Sequence, residues 1–135
     1  MATYTKFYTF VAAVANGKHN LENDQLVVAL TNTAPTAATD ATLSDITEIT
    51  YTNCSSRNVT TTSSSQSGGT YSLVLVDLTL EASGGTVGAF RYVVLYNDDA
   101  TNDELIGYYD YGNSITMAAG ETFKIDFAAT TITLQ

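Results

Sequence analysis

Two side chains carry the chemistry of nucleophilic catalysis, the thiol of Cys54 and the imidazole of His19, the only cysteine and the only histidine of the chain. A cysteine or serine nucleophile needs a base within hydrogen-bonding reach. His19 sits in Gly17-Lys-His-Asn and Cys54 in Asn53-Cys-Ser, contexts without a dyad signature. A loop histidine and a small structural cysteine are therefore expected. Asp77 and Glu81 would share one strand face about 13 Å apart at the usual rise, beyond the separations that glycoside hydrolysis uses. In Asn97-Asp-Asp-Ala-Thr-Asn-Asp-Glu104 the residues Asn97, Asp99, Thr101 and Asp103 alternate as oxygen ligands do in a calcium loop. Counted from Asn97, however, the sixth position is Asn102 and the twelfth Tyr108, where such a loop needs glycine and glutamate. Asn97, Asp99 and Asp103 remain a weak metal candidate, and a solvated hairpin turn explains the same residues. Neither G-x-G-x-x-G nor a P-loop occurs. No catalytic residue, no cofactor and no enzymatic activity is expected.

Charge narrows the partners. Five Lys and Arg stand against fourteen Asp and Glu, a net charge of −9. That balance disfavours nucleic acid, whose backbone is bound by displacing counterions with cations, and disfavours anionic lipid surfaces. It suits solubility, a basic protein surface or bound cations. A lone cysteine allows no internal disulfide. Apolar runs such as Leu73–Val76 are far shorter than the roughly 20 residues a spanning helix requires. The N-terminus lacks the basic start and unbroken apolar core of a secretory signal, so synthesis and first folding in a cytoplasm are expected.

These residues need elements to hold them. With 135 residues the chain is expected to form one domain, 1–135. Residues 1–16 read as an arm and a short helix: Tyr4, Phe7, Val11 and Val14 fall at helical spacing from residue 4, and Asn16-Gly17 is a helix stop. Asp24–Thr31 reads as a strand ending before Pro35. Residues 37–69 read as a long Ser/Thr-rich loop region with one apolar interlude, Leu43–Tyr51. Residues 71–134 form the strand-rich core, with strands over 71–82, 87–97, 105–111, 114–117, 122–127 and 131–134. The fold class this predicts is mainly β, an antiparallel β-sandwich, jelly-roll-like, with one short N-terminal helix.

Aromatic residues complete the candidates. Phe90, Tyr92, Val94 and Tyr96 alternate with Val93 and Leu95, so the strand is apolar on both sides. Either it is central with both faces covered, or one face meets another protein. Tyr92, Tyr96, Tyr108, Tyr109 and Tyr111 could pack on one another, stack on sugars or form a protein interface. Together with Tyr4, Phe7 and Tyr8 they are the interface candidates. The segments Thr3–Phe10 and 55–69 are the expected contact regions.

The helix ending in Asn-Gly, then His19-Asn-Leu, Asp24-Gln-Leu-Val-Val-Ala-Leu-Thr-Asn-Thr-Ala-Pro, Leu43-Ser-Asp-Ile-Thr-Glu-Ile, Ser83-Gly-Gly-Thr-Val-Gly-Ala-Phe-Arg-Tyr-Val-Val-Leu-Tyr-Asn-Asp and Gly120-Glu-Thr-Phe-Lys-Ile-Asp-Phe together resemble small virion structural proteins of tailed bacteriophages. The resemblance is one of overall pattern and brings no ligand signature. It implies a head decoration (cement), head-fibre or minor tail component. As a single compact domain without repeats, the chain is expected on the capsid exterior, stabilising the shell by bridging subunits. The implied partners are the major capsid protein or other virion proteins, with further copies of the chain in a homo-oligomer such as a trimer. The implied location is the surface of the phage particle, after synthesis in the host cytoplasm. A host-glycan adhesion module is the alternative.

Overall fold

The structure is a computed structural model that describes residues 2–127 and 132–134. Its elements in chain order are β1 (Thr3–Lys6), α1 (Tyr8–Ala15), β2 (Leu26–Thr31), a 3-10 turn at Leu43–Asp45, β3 (Asn58–Val59), β4 (Thr61–Ser67), β5 (Thr70–Leu75), β6 (Leu78–Glu81), β7 (Val87–Asn97), β8 (Leu105–Met117), β9 (Thr122–Ile125) and β10 (Ile132–Leu134). The strands form a five-stranded sheet, β1-β8-β7-β2-β3, a three-stranded sheet, β10-β5-β4, and a pair, β6-β9. Every pairing is antiparallel. One apolar cluster draws on all three sheets and on α1, so the chain is mainly β and sandwich-like with a single helix. These strand orders go no further toward a jelly roll. The expected turn at 128–130 and the strand start at Thr131 lie outside the described residues, as does Met1.

The N-terminus departs from expectation. Thr3–Lys6 is a strand, and helix begins only at Tyr8. Thr, Tyr and Thr suit a pleated surface, and β1 finds a ladder on β8 with Tyr4 opposite Tyr109. The phenol of Tyr4 lies over Gly107, filling the space a β-carbon would need there. Tertiary pairing thereby overrides a helical spacing that local propensity alone would allow. Moving the start turns the helix: Phe10 is its buried residue, whereas Val11, assigned to the inward stripe by the sequence, is 51% exposed. The predicted stop is present. Gly17 has φ +74°, its N–H donates to the Val14 carbonyl and that of Lys18 to the Ala13 carbonyl, the Schellman arrangement.

The region 37–69 is not an unstructured loop. Residues 61–67 form β4, joined to β5 by a two-residue turn at Gly68-Gly69, with φ +58° and +84°. Positive φ at both positions is the hairpin geometry that matches strand twist, and glycine adopts it without strain. The preceding excursion is held by Tyr51, whose hydroxyl donates to Glu48 (2.7 Å) and accepts from the Leu30 N–H (2.9 Å). Arg57 lies 3.6 Å over the Tyr51 ring and donates to the Val28 carbonyl at 2.7 Å.

Strands expected separately at 105–111 and 114–117 form one, β8, in which residues 111–114 bulge between the pairs Tyr92↔Asp110 and Phe90↔Ile115. Both faces of the β7–β8 hairpin are covered by the chain itself over Tyr92–Asn97 and Leu105–Gly107, whereas Gly88, Ala89, Gly112, Asn113, Ser114 and Thr116 are exposed. Phe90 and Tyr111 meet Phe123 at ring-centroid distances of 5.4 and 5.0 Å, and Tyr109 meets Phe127 at 6.0 Å. On the other side, Tyr108 contacts Phe7 at 5.3 Å and Tyr92 at 6.2 Å. The two-sided apolar strand is therefore central, and its apolarity needs no second protein.

Candidate functional site

His19 and Cys54 occupy different environments. The His19 ring lies 5.1 Å from that of Phe10, and its Nδ1 is 3.0 Å from Asn97 Nδ2. Asn97 Oδ1 accepts the backbone N–H groups of Asp99 and Ala100, which sets the amide's orientation. Its Nδ2 must then donate, to Asp24 Oδ2 (2.7 Å) and to His19 Nδ1, so the imidazole is neutral with its proton on Nε2. Burial lowers the His19 pKa, opposed by the charges of Glu104 and Asp24. The Nε2 atom is buried without a hydrogen-bond partner, as is Oε2 of Glu104. Glu104 uses Oε1 to accept the Asn102 N–H at 2.8 Å. Four chain segments converge here: the loop after α1, the entry to β2, the end of β7 and the start of β8. The arrangement braces the fold, and no spacing signal announced it because its members come from distant parts of the sequence.

Cys54 instead forms an isolated bridge with Ala82. Burial raises its pKa, opposed by Arg57, so it remains a thiol and a poor nucleophile. Neither residue presents the other with a reaction partner.

The weak calcium-loop candidates have other tasks. Asn97 is wholly buried in the network above. Asp99 Oδ2 accepts the Gln25 N–H at 2.7 Å, tying the β7–β8 loop to β2. Asp103 has φ +53°, and its pKa is raised by desolvation, then by the charges of Asp98, Glu104 and Glu48. Among the described residues no three His, Cys, Asp or Glu side chains are placed to hold a metal ion.

The interface candidates divide by burial. Phe7, Tyr92, Tyr96 and Tyr109 are buried in the chain's own core and offer a partner nothing while the domain is folded. Tyr4, Tyr108 and Tyr111 are half-buried against it. Burial pushes the Tyr109 and Tyr111 hydroxyls up to about 12. Tyr8 alone stands out, 66% exposed. Of the five tyrosines of the expected platform, Tyr92, Tyr108, Tyr109 and Tyr111 are ring partners of one another and of Phe7, Phe123 and Phe127, and Tyr96 is buried.

Two open surfaces stand out among the described residues. The outward side of α1 presents Tyr8, Val11, Ala12 and Ala15, all exposed, while Phe10 and Val14 point inward. No charged residue occurs from Phe7 to Gly17, and Lys6 and Lys18 flank the stretch. The second surface is the free edge of β4, discussed below. Comparison with protein-family models, curated proteins and solved structures finds no match.

Proposed function

We propose that this chain is a non-enzymatic structural protein of a tailed-bacteriophage particle, a capsid decoration (cement) protein that binds the outer head surface and stabilises the shell by bridging capsid subunits. The resemblance in the sequence supplies the particle. The observation that carries attachment is the outward face of α1. A helix apolar all round is ordinarily buried, and α1, apolar inward through Phe10 and outward through Tyr8 (66% exposed) and Val11 (51% exposed), lacks half of its cover in the isolated chain. It follows β1 in the chain and packs against β8. Anchorage repeated over a shell turns weak individual contacts into avid binding, and whatever binds only the intact shell stabilises it.

The test compares particles carrying the wild-type chain, particles lacking it, and particles assembled with Val11→Glu. Val11 is exposed, so the variant should fold as the wild type does yet be lost from particles. Particles without the chain should release DNA at lower temperature. If they withstand heat and osmotic shock as well as complete particles and fail only to adsorb to cells, the adhesion reading replaces this one. Removing residues 1–10 would be a poor substitute, because it also removes β1, Phe7 and Phe10 from the fold.

A further inference from the structure

Edge strands invite pairing with another chain, and proteins ordinarily blunt them by shortness, charge or irregularity. Most edges here are blunted. β3 has two residues and β10 three. β1 has four and ends in Lys6, while β6 and β9, with four each, carry Glu81 and Lys124. β4 is different: its seven residues, Thr-Thr-Ser-Ser-Ser-Gln-Ser, hold neither charge nor proline. Its one irregularity lies between Thr61 and Ser63, leaving Ser63–Ser67 in unbroken register with β5. In the sheet order β10-β5-β4 no strand among the described residues pairs with its outer side. Moreover, from Asn58 to Val76 the sequence has no charged residue, although the chain as a whole carries −9.

We propose that two copies of this chain pair through β4, antiparallel about a twofold axis, so that their β10-β5-β4 sheets become one continuous sheet. Two chains this acidic repel each other over most approaches. The charge-free hairpin is where they can meet without bringing like charges together, which favours a second copy over any partner selected by charge. An antiparallel strand pair is isologous, each copy offering the other the same surface. Serine and threonine side chains facing their counterparts across the axis can exchange hydrogen bonds. Such a contact is polar and lacks a large apolar centre, so it is weak and reversible in solution and is reinforced where copies are already concentrated side by side. It implies pairs rather than the trimer expected from the resemblance, and it holds whether or not the chain is a virion component.

The experiment is sedimentation of the full-length chain over a wide concentration range, with the fold of each variant checked by circular dichroism. The wild type should pass reversibly from monomer to dimer. Ser65→Lys and Ser65→Glu should each remain monomeric with unchanged melting, and an equimolar mixture of the two should dimerise again, which a merely damaged strand would not do. A wild type that is monomeric throughout overturns the proposal. So does a dimer that survives both single substitutions, or one abolished by Val11→Glu while indifferent to Ser65, which would place the contact on α1.

Discussion

The β7–β8 hairpin and the β4–β5 hairpin invert what their compositions suggest. The first is lined with tyrosine and looks like a surface for something else, yet from Tyr92 to Asn97 every residue is buried, and the nearby Tyr108, Phe90 and Tyr109 pack on the chain's own Phe7, Phe123 and Phe127. The second begins in serine and threonine and looks like a loop, yet it is a strand in unbroken register from Ser63 to Ser67 whose outer side no strand among the described residues pairs. Apolarity on both faces of a strand reports central position in a sheet, and it reports an interface only when the rest of the chain leaves a face uncovered. Low hydrophobicity reports exposure, which a strand supported by a well-formed neighbour tolerates. Here the support is β5, with Leu73 and Leu75 buried and the Tyr71 hydroxyl hydrogen-bonded to Ser64 at 2.7 Å.

The sharpest way to break this contrast is to truncate one side chain in each hairpin. Phe90 is fully buried and meets Phe123 edge-on, so Phe90→Ala should cost about 3–5 kcal/mol in denaturant unfolding. Thr62→Ala, on exposed β4, should stay within about 0.5 kcal/mol. Equal costs would mean that the two hairpins contribute alike to the core.

A smaller effect is expected where the β7–β8 loop is tied to the rest of the fold. Asn97→Ala removes the donor to Asp24 and His19 and the acceptor of two backbone N–H groups. Leaving buried partners unmatched should cost roughly 1–3 kcal/mol and speed amide exchange at Asp99 and Ala100. Unchanged exchange at those two amides would show that the loop holds its shape without the side chain.

The smallest effect is a pH dependence at the same place. Burial lowers the folded-state pKa of His19 below its usual value near 6.5, against the pull of Glu104 and Asp24, so folding favours the neutral ring. Its contribution is complete above about pH 6.5, falls as the pH drops toward the lowered folded-state value, and changes no further below it. Melting temperatures through that window should decline for the wild type and decline less for His19→Gln. Parallel curves would mean that His19 does not supply the slope.

Much of the fold was legible from local chemistry. The runs at Leu26–Thr31 and Val87–Asn97 and Asn16-Gly17 as a helix stop each depend on a residue and its near neighbours, and strands or a stop occur there. The single strand expected over 71–82 instead breaks at Val76-Asp77 into β5 and β6 of different sheets, with Val76 48% exposed and Leu73, Leu75 and Leu80 buried. Thr3–Lys6 and Thr61–Ser67 were not legible as strands, because each becomes one through a ladder on a strand far away or across a turn. The sites divide in the same way. His19, Cys54, Asn97, Asp99 and Asp103 could be named from residue type, but their actual partners, Phe10, Ala82, Asp24 and the Gln25 N–H among them, are contributed by other segments.

By itself the sequence determined the acidity, the β-rich pattern, the helix stop and which side chains were candidates for chemistry or contact, since all of these follow from residue type and short-range period. The tertiary structure alone decided that the tyrosines of β7 and β8 face inward on both sides, that α1 turns Tyr8 and Val11 outward, and that β4 ends its sheet without a guard. The physical reason is that burial and edge position depend on which distant segment packs alongside, and period along the chain specifies the faces of a strand without specifying what covers them.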